Sequence, residues 1–499
     1  MKEKYDIIKK LNTELVVEKE VVIEKKHLIE ILKQPDLLKY VGEALEEKEV
    51  NKAVKGEIHS KLTAFMLCNT MNLGNYLMLV FKGSSSIGKT NLANIVTGLF
   101  KTKKIGQLSP TALKYAGDEK QYHILYHQET SEKESGRKTF KFISSDDDGF
   151  LAETTIKNPE TGEFGIQRIK VPAKGFVTTT TAIELDKEFS TRSFMIPLDE
   201  SQQQTRKIME FNLSETKRKM NQIEGHKEYG KKYKNLKKAL EELYVCDIVI
   251  PFESEIKSVF PTKTIPLRVR RDSKKLITVI KASALLFQYQ RPKIVVNNEL
   301  LLVSAWQDLY NAIRIAMPIM DATMTGYDSR TKKAIELLPE IILETGGITS
   351  ENLANAMGDI GKNYAGRILK QLNESGYLYQ DNELKKELNI KGKTRVYVLD
   401  KKYRRESCNS ALQDIDWGKV LEKQQAFLDR YAANCKNHKD KRIVEHYLKE
   451  YDRYGRIVYD PMDHCFKKLD PDVNQISQFA VLTSEEQEAL QKDICGYMG

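Results

Sequence analysis

Residues 83–90 read GSSSIGKT, a short polar loop with a glycine at each end and a lysine–threonine pair closing it. That spacing suits the cradling of a polyphosphate. Gly83 and Gly88 let the backbone curl, so that N–H groups around Ser84, Ser85, Ser86 and Ile87 turn toward phosphate oxygens. Lys89 is then placed to reach the β- and γ-phosphates, and the Thr90 hydroxyl to hold Mg²⁺. A plain glycine–serine turn is the alternative. The surroundings argue against it, because the apolar run YLMLVF precedes the loop and the helical pattern TNLANIVTGLF follows it. Such a strand–loop–helix unit also aims the helix N-terminus at the anion. These eight residues form a Walker A pattern and predict binding of ATP with Mg²⁺.

Hydrolysis needs a second apolar strand tipped with acids. HILYHQET at 123–130 fits best, with Glu129 as the water-polarising carboxylate. The position before it, where a metal-linked acid is expected, holds Gln128, which bears on metal affinity and turnover. Asp146, Asp147 and Asp148 form a further acidic run, which reads more simply as a solvated turn.

The elements that must position these groups follow in order. Residues 152–171 alternate about an NPETGE turn and predict a β-hairpin carrying Lys157, Arg168 and Lys170. A strand ending in Thr178 to Thr181 comes next, then Arg192 in a polar segment, then the strand FMIPL. Taken alone, the hairpin could be plain scaffold and Arg192 a surface residue.

The chain has 499 residues, enough for several domains, with 40% apolar and 30% charged residues as in soluble globular proteins. Its apolar runs are too short to span a bilayer, and the first ten residues lack a secretory core. Six scattered cysteines point to a reducing compartment, and cytoplasmic residence is expected. The net charge of +10 permits a polyanionic partner and equally fits a slightly basic protein with none. Four regions are expected: a helical region at 1–60, the phosphate-binding domain at 61–325, a small α+β unit at 330–400, and a mostly helical region at 401–499.

Residues 330–400 predict a winged helix. A first helix with Ile335, Leu338 and Ile342 inward ends at Gly346-Gly347, a second starts at Thr349, and a third precedes a strand and the segment KGKTRVYVLD. Asn363, Arg367 and Lys370 would lie on the exposed face of the third helix, with Lys391, Lys393 and Arg395 on the wing, where a duplex could be touched. Such units also dock proteins. Cys435, His438, His464 and Cys465 could be read as zinc ligands, but their spacing favours four unrelated residues.

The phrases VFKGSSSIGKT, IKNPETGEFGIQRIKV, FVTTTTAIELD, STRSFMIPLDESQQQTRKI and RVRRDSKKLITVIKASALLFQYQR resemble the AAA+ ATPases related to minichromosome-maintenance (MCM) helicases of mobile elements and primase-linked proteins. The resemblance covers roughly residues 60–295. It implies an α/β AAA+ core with a helical lid, a winged helix and helical extensions, acting as an ATP-dependent DNA helicase in a hexameric ring. It further implies that the hairpin lines a central pore with Lys157 facing the DNA strand threaded through it, that Thr180 senses the γ-phosphate, and that Arg192 is an arginine finger reaching a neighbour's ATP. Arg271 would be a second sensor at the nucleotide. A primase or initiator would be a partner. The alternative is an ATP-switched DNA-binding initiator or scaffold with slow hydrolysis, which Gln128 favours.

Overall fold

The computed structural model describes residues 25–49, 52–106, 122–131, 134, 150–157, 164–171, 174–182, 185–260, 269–296, 299–317, 319, 329–358, 360–374, 376–390, 392, 394–400, 412, 415–434, 455–470, 479–487 and 489–490. Asp146 to Asp148, the NPETGE turn, Lys391, Lys393, Cys435 and His438 lie outside the described residues, as do the side chains of Lys157 and Lys170.

Helix α1 (Leu37–Glu46) and helix α2 (Ile58–Asn72) precede strand β1 (Met78–Lys82), and helix α3 (Lys89–Thr97) follows the phosphate loop. Strands β2 (Thr102–Ile105) and β3 (Ile124–His127) come next, then a separate antiparallel ribbon of β4 (Phe150–Lys157) and β5 (Phe164–Val171). Strand β6 (Gly175–Thr180), helix α4 (Lys187–Arg192) and strand β7 (Phe194–Pro197) complete the sheet unit.

The five sheet strands run parallel in the order β2-β3-β6-β1-β7. Their apolar runs arise because both faces are covered. Along β1, Leu79 and Phe81 enter the main core with α2 and α3, while Met78 and Val80 enter a smaller one with Phe176, Leu125 and Phe189 of α4. All strands end at one edge, and β6 stands between the phosphate-loop strand and the acid-tipped strand.

The helices that follow are α5 (Gln202–Leu213), α6 (Glu215–Ile223) and α7 (Lys231–Leu240). Tyr233 of α7 bonds the Ile95 carbonyl at 2.7 Å and so clamps α3 from above. Strand β8 (Asp247–Val249), helix α8 (Val269–Leu286), the hairpin β9 (Lys293–Val296) and β10 (Glu299–Val303), and helix α9 (Trp306–Asn311) follow, α9 running into a π-helical turn at Ala312–Ala316.

Residues 329–400 form a unit with its own core. Helices α10 (Ser329–Thr345), α11 (Ser350–Met357) and α12 (Lys362–Glu374) enclose Leu338, Leu353, Ile368 and Leu372, with Ile335 and Ile342 partly buried against them. Thr349 caps α11 through the Asn352 N–H at 3.1 Å. Strand β11 (Leu378–Gln380) pairs with β12 (Tyr397–Leu399), and a short helix α13 (Asn382–Glu387) stands between them.

The region after 401 differs from the helical expectation. Besides helix α14 (Trp417–Asn434) it holds an antiparallel sheet of β13 (Ile457–Asp460), β14 (Cys465–Leu469) and β15 (Phe479–Val481). Trp417 and Phe479 pack edge-on at 5.1 Å and join Trp306 and Tyr310 of α9 in the main core. These runs are too short to announce strands by themselves. Their apolar partners come from residues 306–310, more than a hundred positions away.

Asp460 anchors that contact. Fully buried, it accepts from Tyr310 at 2.7 Å, from Arg314 at 2.9 Å and from Lys467 at 2.6 Å. Burial alone would raise its carboxyl, but the Lys467 and Tyr310 hydrogen bonds and the Arg314 charge outweigh it and hold the pKa at about 2. Its folded value lies below the unfolded 3.8, so this stabilisation is full above that pH and is lost as pH falls through about 2. Asp460→Ala takes the buried carboxylate from Arg314 and Lys467, leaves them the more exposed Asp463, and is expected to cost about 3 kcal/mol, the low end for breaking a buried pair. A urea midpoint equal to the parent's would refute the cluster's role.

Candidate nucleotide site

The phosphate loop leaves β1 at Gly83 and enters α3 at Lys89 without a spacer. Ser86 (φ 66°) and Gly88 (φ 102°) take left-handed conformations that turn the intervening N–H groups inward. A serine there is a local strain of the kind held at functional sites. No side chain caps the first turn of α3, so its N–H groups are open to an anion. Thr90 is exposed in that turn.

Lys89 is buried to 6% exposure and folded back on its own loop, donating to the Gly83 carbonyl at 2.8 Å and to the Ser84 carbonyl. Burial lowers its pKa, opposed by the nearby Glu129 and Glu200 charges. Two carboxylates therefore flank the lysine. Glu129 stands at the tip of β3, exposed, and accepts from Thr181 at 3.1 Å. Glu200 stands just past β7 and accepts the Ser84 N–H at 2.7 Å.

The threonine run is a clamp between two strand tips. Thr178 shares a hydrogen bond with Thr130 at 2.8 Å, Thr130 meets His127 at 3.0 Å, and Thr179 bonds the Gln128 carbonyl. Thr180, expected at the γ-phosphate, is fully buried, donates to the Thr130 carbonyl at 2.7 Å and accepts from the Ala182 N–H at 3.1 Å. Its hydroxyl is committed to the backbone. The next residue, Thr181, is the exposed one beside Glu129.

Gln128 points elsewhere. Its amide oxygen lies 3.1 Å from where a β-carbon on Gly106 would stand, past the end of β2. That is the side of β3 away from the phosphate loop.

Arg192 and Arg271 are not brought to this loop. Arg192 ends α4 two residues before β7, whose Phe194 pairs with Leu79 near the start of β1. The loop begins at the other end of β1, at least about 13 Å away at the usual strand rise. Arg192 instead pairs with Glu188 at 2.7 Å. Arg271 is exposed on α8, one turn before Lys275, which donates to the Ser193 carbonyl at 2.6 Å. Both arginines thus stand at the edge opposite Lys89.

Of the expected nucleic-acid contacts, Arg168 is exposed and bonds Glu153 across the ribbon at 2.9 Å. The Lys157 backbone lies at the ribbon's far end, paired with Phe164, which is 75% exposed. The backbone of Lys170 is in β5. On α12, Asn363, Arg367 and Lys370 are exposed, with Arg367 over the Tyr364 ring and Lys370 3.7 Å from Glu374. Arg395 is exposed before β12. Among the described residues no cluster of metal-ligating side chains occurs, and no helix is long and apolar enough to cross a membrane.

A cavity of about 1060 Å³ opens next to the site, lined by Lys55, Glu57, Lys61, Gln204, Phe211 and Arg218 among others, and reaching Asp199 beside Glu200. No phosphate-loop residue lines it. Sequence reading missed Thr181, Glu200 and this wall; only the strand order reveals the second.

A parallel sheet with a glycine-bounded loop running from an inner strand into an uncapped helix defines a P-loop nucleotide-binding domain of the α/β class. Residues 20–241 match the family model described as the MTBMA_p00010 P-loop domain. No curated protein matches the chain. Among solved structures, the active helicase SCCmec type IV Cch aligns at 11% identity over 74% of this chain and 69% of that one, with a TM-score of 0.30. At that similarity the alignment says nothing about this chain's chemistry.

Proposed function

We propose that the chain is an ATP-dependent DNA translocase or helicase of the MCM-like AAA+ kind, working as a ring in replication of a mobile or viral element. One observation carries this reading: Lys89 and Glu129 share one edge of the sheet while Arg192 stands at the other. An arginine so placed cannot serve its own nucleotide, but it can complete the site of a neighbour stacked head to tail. The same holds for Arg271. On this reading the interstrand position of β6 supports an AAA+ core, and the unit at 329–400 is a winged helix that uses Arg367, Lys370 and Arg395 on a duplex.

In turnover Glu129 polarises a water that attacks the γ-phosphorus, and the bond to the β–γ bridging oxygen breaks. Lys89 leaves the Gly83 carbonyl to follow the charge on the transferring group, and the neighbour's Arg192 meets it from outside. Thr181 orients the Glu129 carboxylate and takes the sensing role expected of Thr180. Mg²⁺, held by the Thr90 hydroxyl and the nucleotide's own oxygens, would neutralise phosphate charge; Gln128 adds no acid to that set.

Gln128 is also what favours the second reading, an ATP-switched DNA-binding initiator or scaffold with slow hydrolysis. Single-turnover hydrolysis with and without single-stranded DNA separates the two. A translocase is expected to hydrolyse faster on DNA, and Lys157→Ala to cut that stimulation by about tenfold while ATP still binds. Stimulation that survives Lys157→Ala would sink the ribbon mechanism. Slow turnover indifferent to DNA would leave the switch.

A further inference from the structure

We propose that Glu200 is a positioning residue that, together with Lys89, latches the phosphate loop across a single peptide unit and must be displaced by incoming phosphate. This rests on the nucleotide-binding reading and deepens it. The peptide between Gly83 and Ser84 is held at both ends: its carbonyl accepts from the Lys89 ammonium at 2.8 Å, and its N–H donates to the Glu200 carboxylate at 2.7 Å. A cation on the oxygen and an anion on the N–H polarise the same amide in one direction, so each contact strengthens the other. Lys89 and Glu200 also attract each other directly.

The carboxylate is aimed by its neighbours. Leu198 continues the ladder to the Lys82 carbonyl at 3.1 Å, and the Asp199 N–H is held by Glu57 at 2.9 Å. Glu200 therefore emerges beside Gly83 on the side of the loop opposite Glu129 and Thr181. In this arrangement the lysine is spent on carbonyls and an acid occupies an N–H. Both arrangements oppose a polyphosphate. Binding must draw Lys89 off the Gly83 carbonyl, and the nucleotide's negative charge then meets Glu200 without its counter-ion. The latch should lower affinity and speed release of the bound nucleotide.

Glu200→Gln keeps an acceptor for Ser84 and removes the charge, whereas Glu200→Ala removes both. For MgATP measured with a fluorescent analogue at low salt, Glu200→Gln is expected to bind about threefold to fivefold more tightly, the modest size reflecting an exposed, solvent-screened carboxylate. Its dissociation should slow in proportion, and the difference from the parent should shrink as salt rises. Glu200→Asp, which keeps the charge, should stay close to the parent. An affinity unchanged in Glu200→Gln, or weakened in both Gln and Ala variants, would overturn the latch and leave Glu200 as a simple prop. A parent protein that binds no nucleotide would instead overturn the nucleotide-binding reading itself.

Discussion

Lys89→Ala is expected to bring ATP hydrolysis down by about a thousandfold or more, the scale of losing a preorganised charge at a transferring phosphoryl group. No other described cation is seated within the phosphate loop of the chain. The Nζ atom is already buried against the Gly83 and Ser84 carbonyls, a short movement from any phosphate the loop would hold. Truncation leaves those carbonyls to solvent at the open face of the loop, so the fold should tolerate it, and a urea midpoint near the parent's is part of the expectation. The unit at 329–400 has a core of its own, so the duplex binding proposed for it should persist. Turnover by Lys89→Ala at the parental rate would remove the phosphate-site assignment and everything built on it.

What the sequence made legible was what is local. The loop at 83–90, its strand and its helix are contiguous, and their chemistry follows from residue type and spacing alone. The place of Glu129 at the tip of β3 was legible for a similar reason, as the first acid past a short apolar run. Thr180 and Thr181 are harder, because four threonines in a row carry no parity. Only the register of β6 between β1 and β3 shows that the third folds back to Thr130 and the fourth meets the acid. Glu200 was invisible for a deeper reason. An acid three residues past a strand matters only if that strand neighbours the phosphate-loop strand, and pairing order across more than a hundred residues is set by packing on both faces of the sheet. The same distance hid β13 to β15, whose short runs become strands only against α9 and α14.

Arg192→Ala is expected to lower turnover by about a thousandfold, in the range of lost arginine fingers, while leaving stability almost unchanged. Its guanidinium pairs with Glu188 in an i,i+4 contact of the kind worth about 0.3–0.5 kcal/mol, so that pair opposes its transfer to a neighbour's phosphate only slightly. Glu129→Gln should be comparably inactive, because the acid that polarises water is gone while the carboxamide preserves shape. The two lesions fall on opposite edges of the sheet, so a head-to-tail contact brings an intact Glu129 from one variant against an intact Arg192 from the other. In a ring assembled from equal amounts of both, random order makes about one interface in four complete, since each contact needs one particular variant on each side. Mixing after subunit exchange should therefore recover turnover of up to about a quarter of the parental value, from two proteins that are each inactive alone. Sites completed within one chain could not be rescued in this way. If both variants assemble and exchange yet the mixture stays inactive, Arg192 does not act across an interface, and the head-to-tail ring loses its main support.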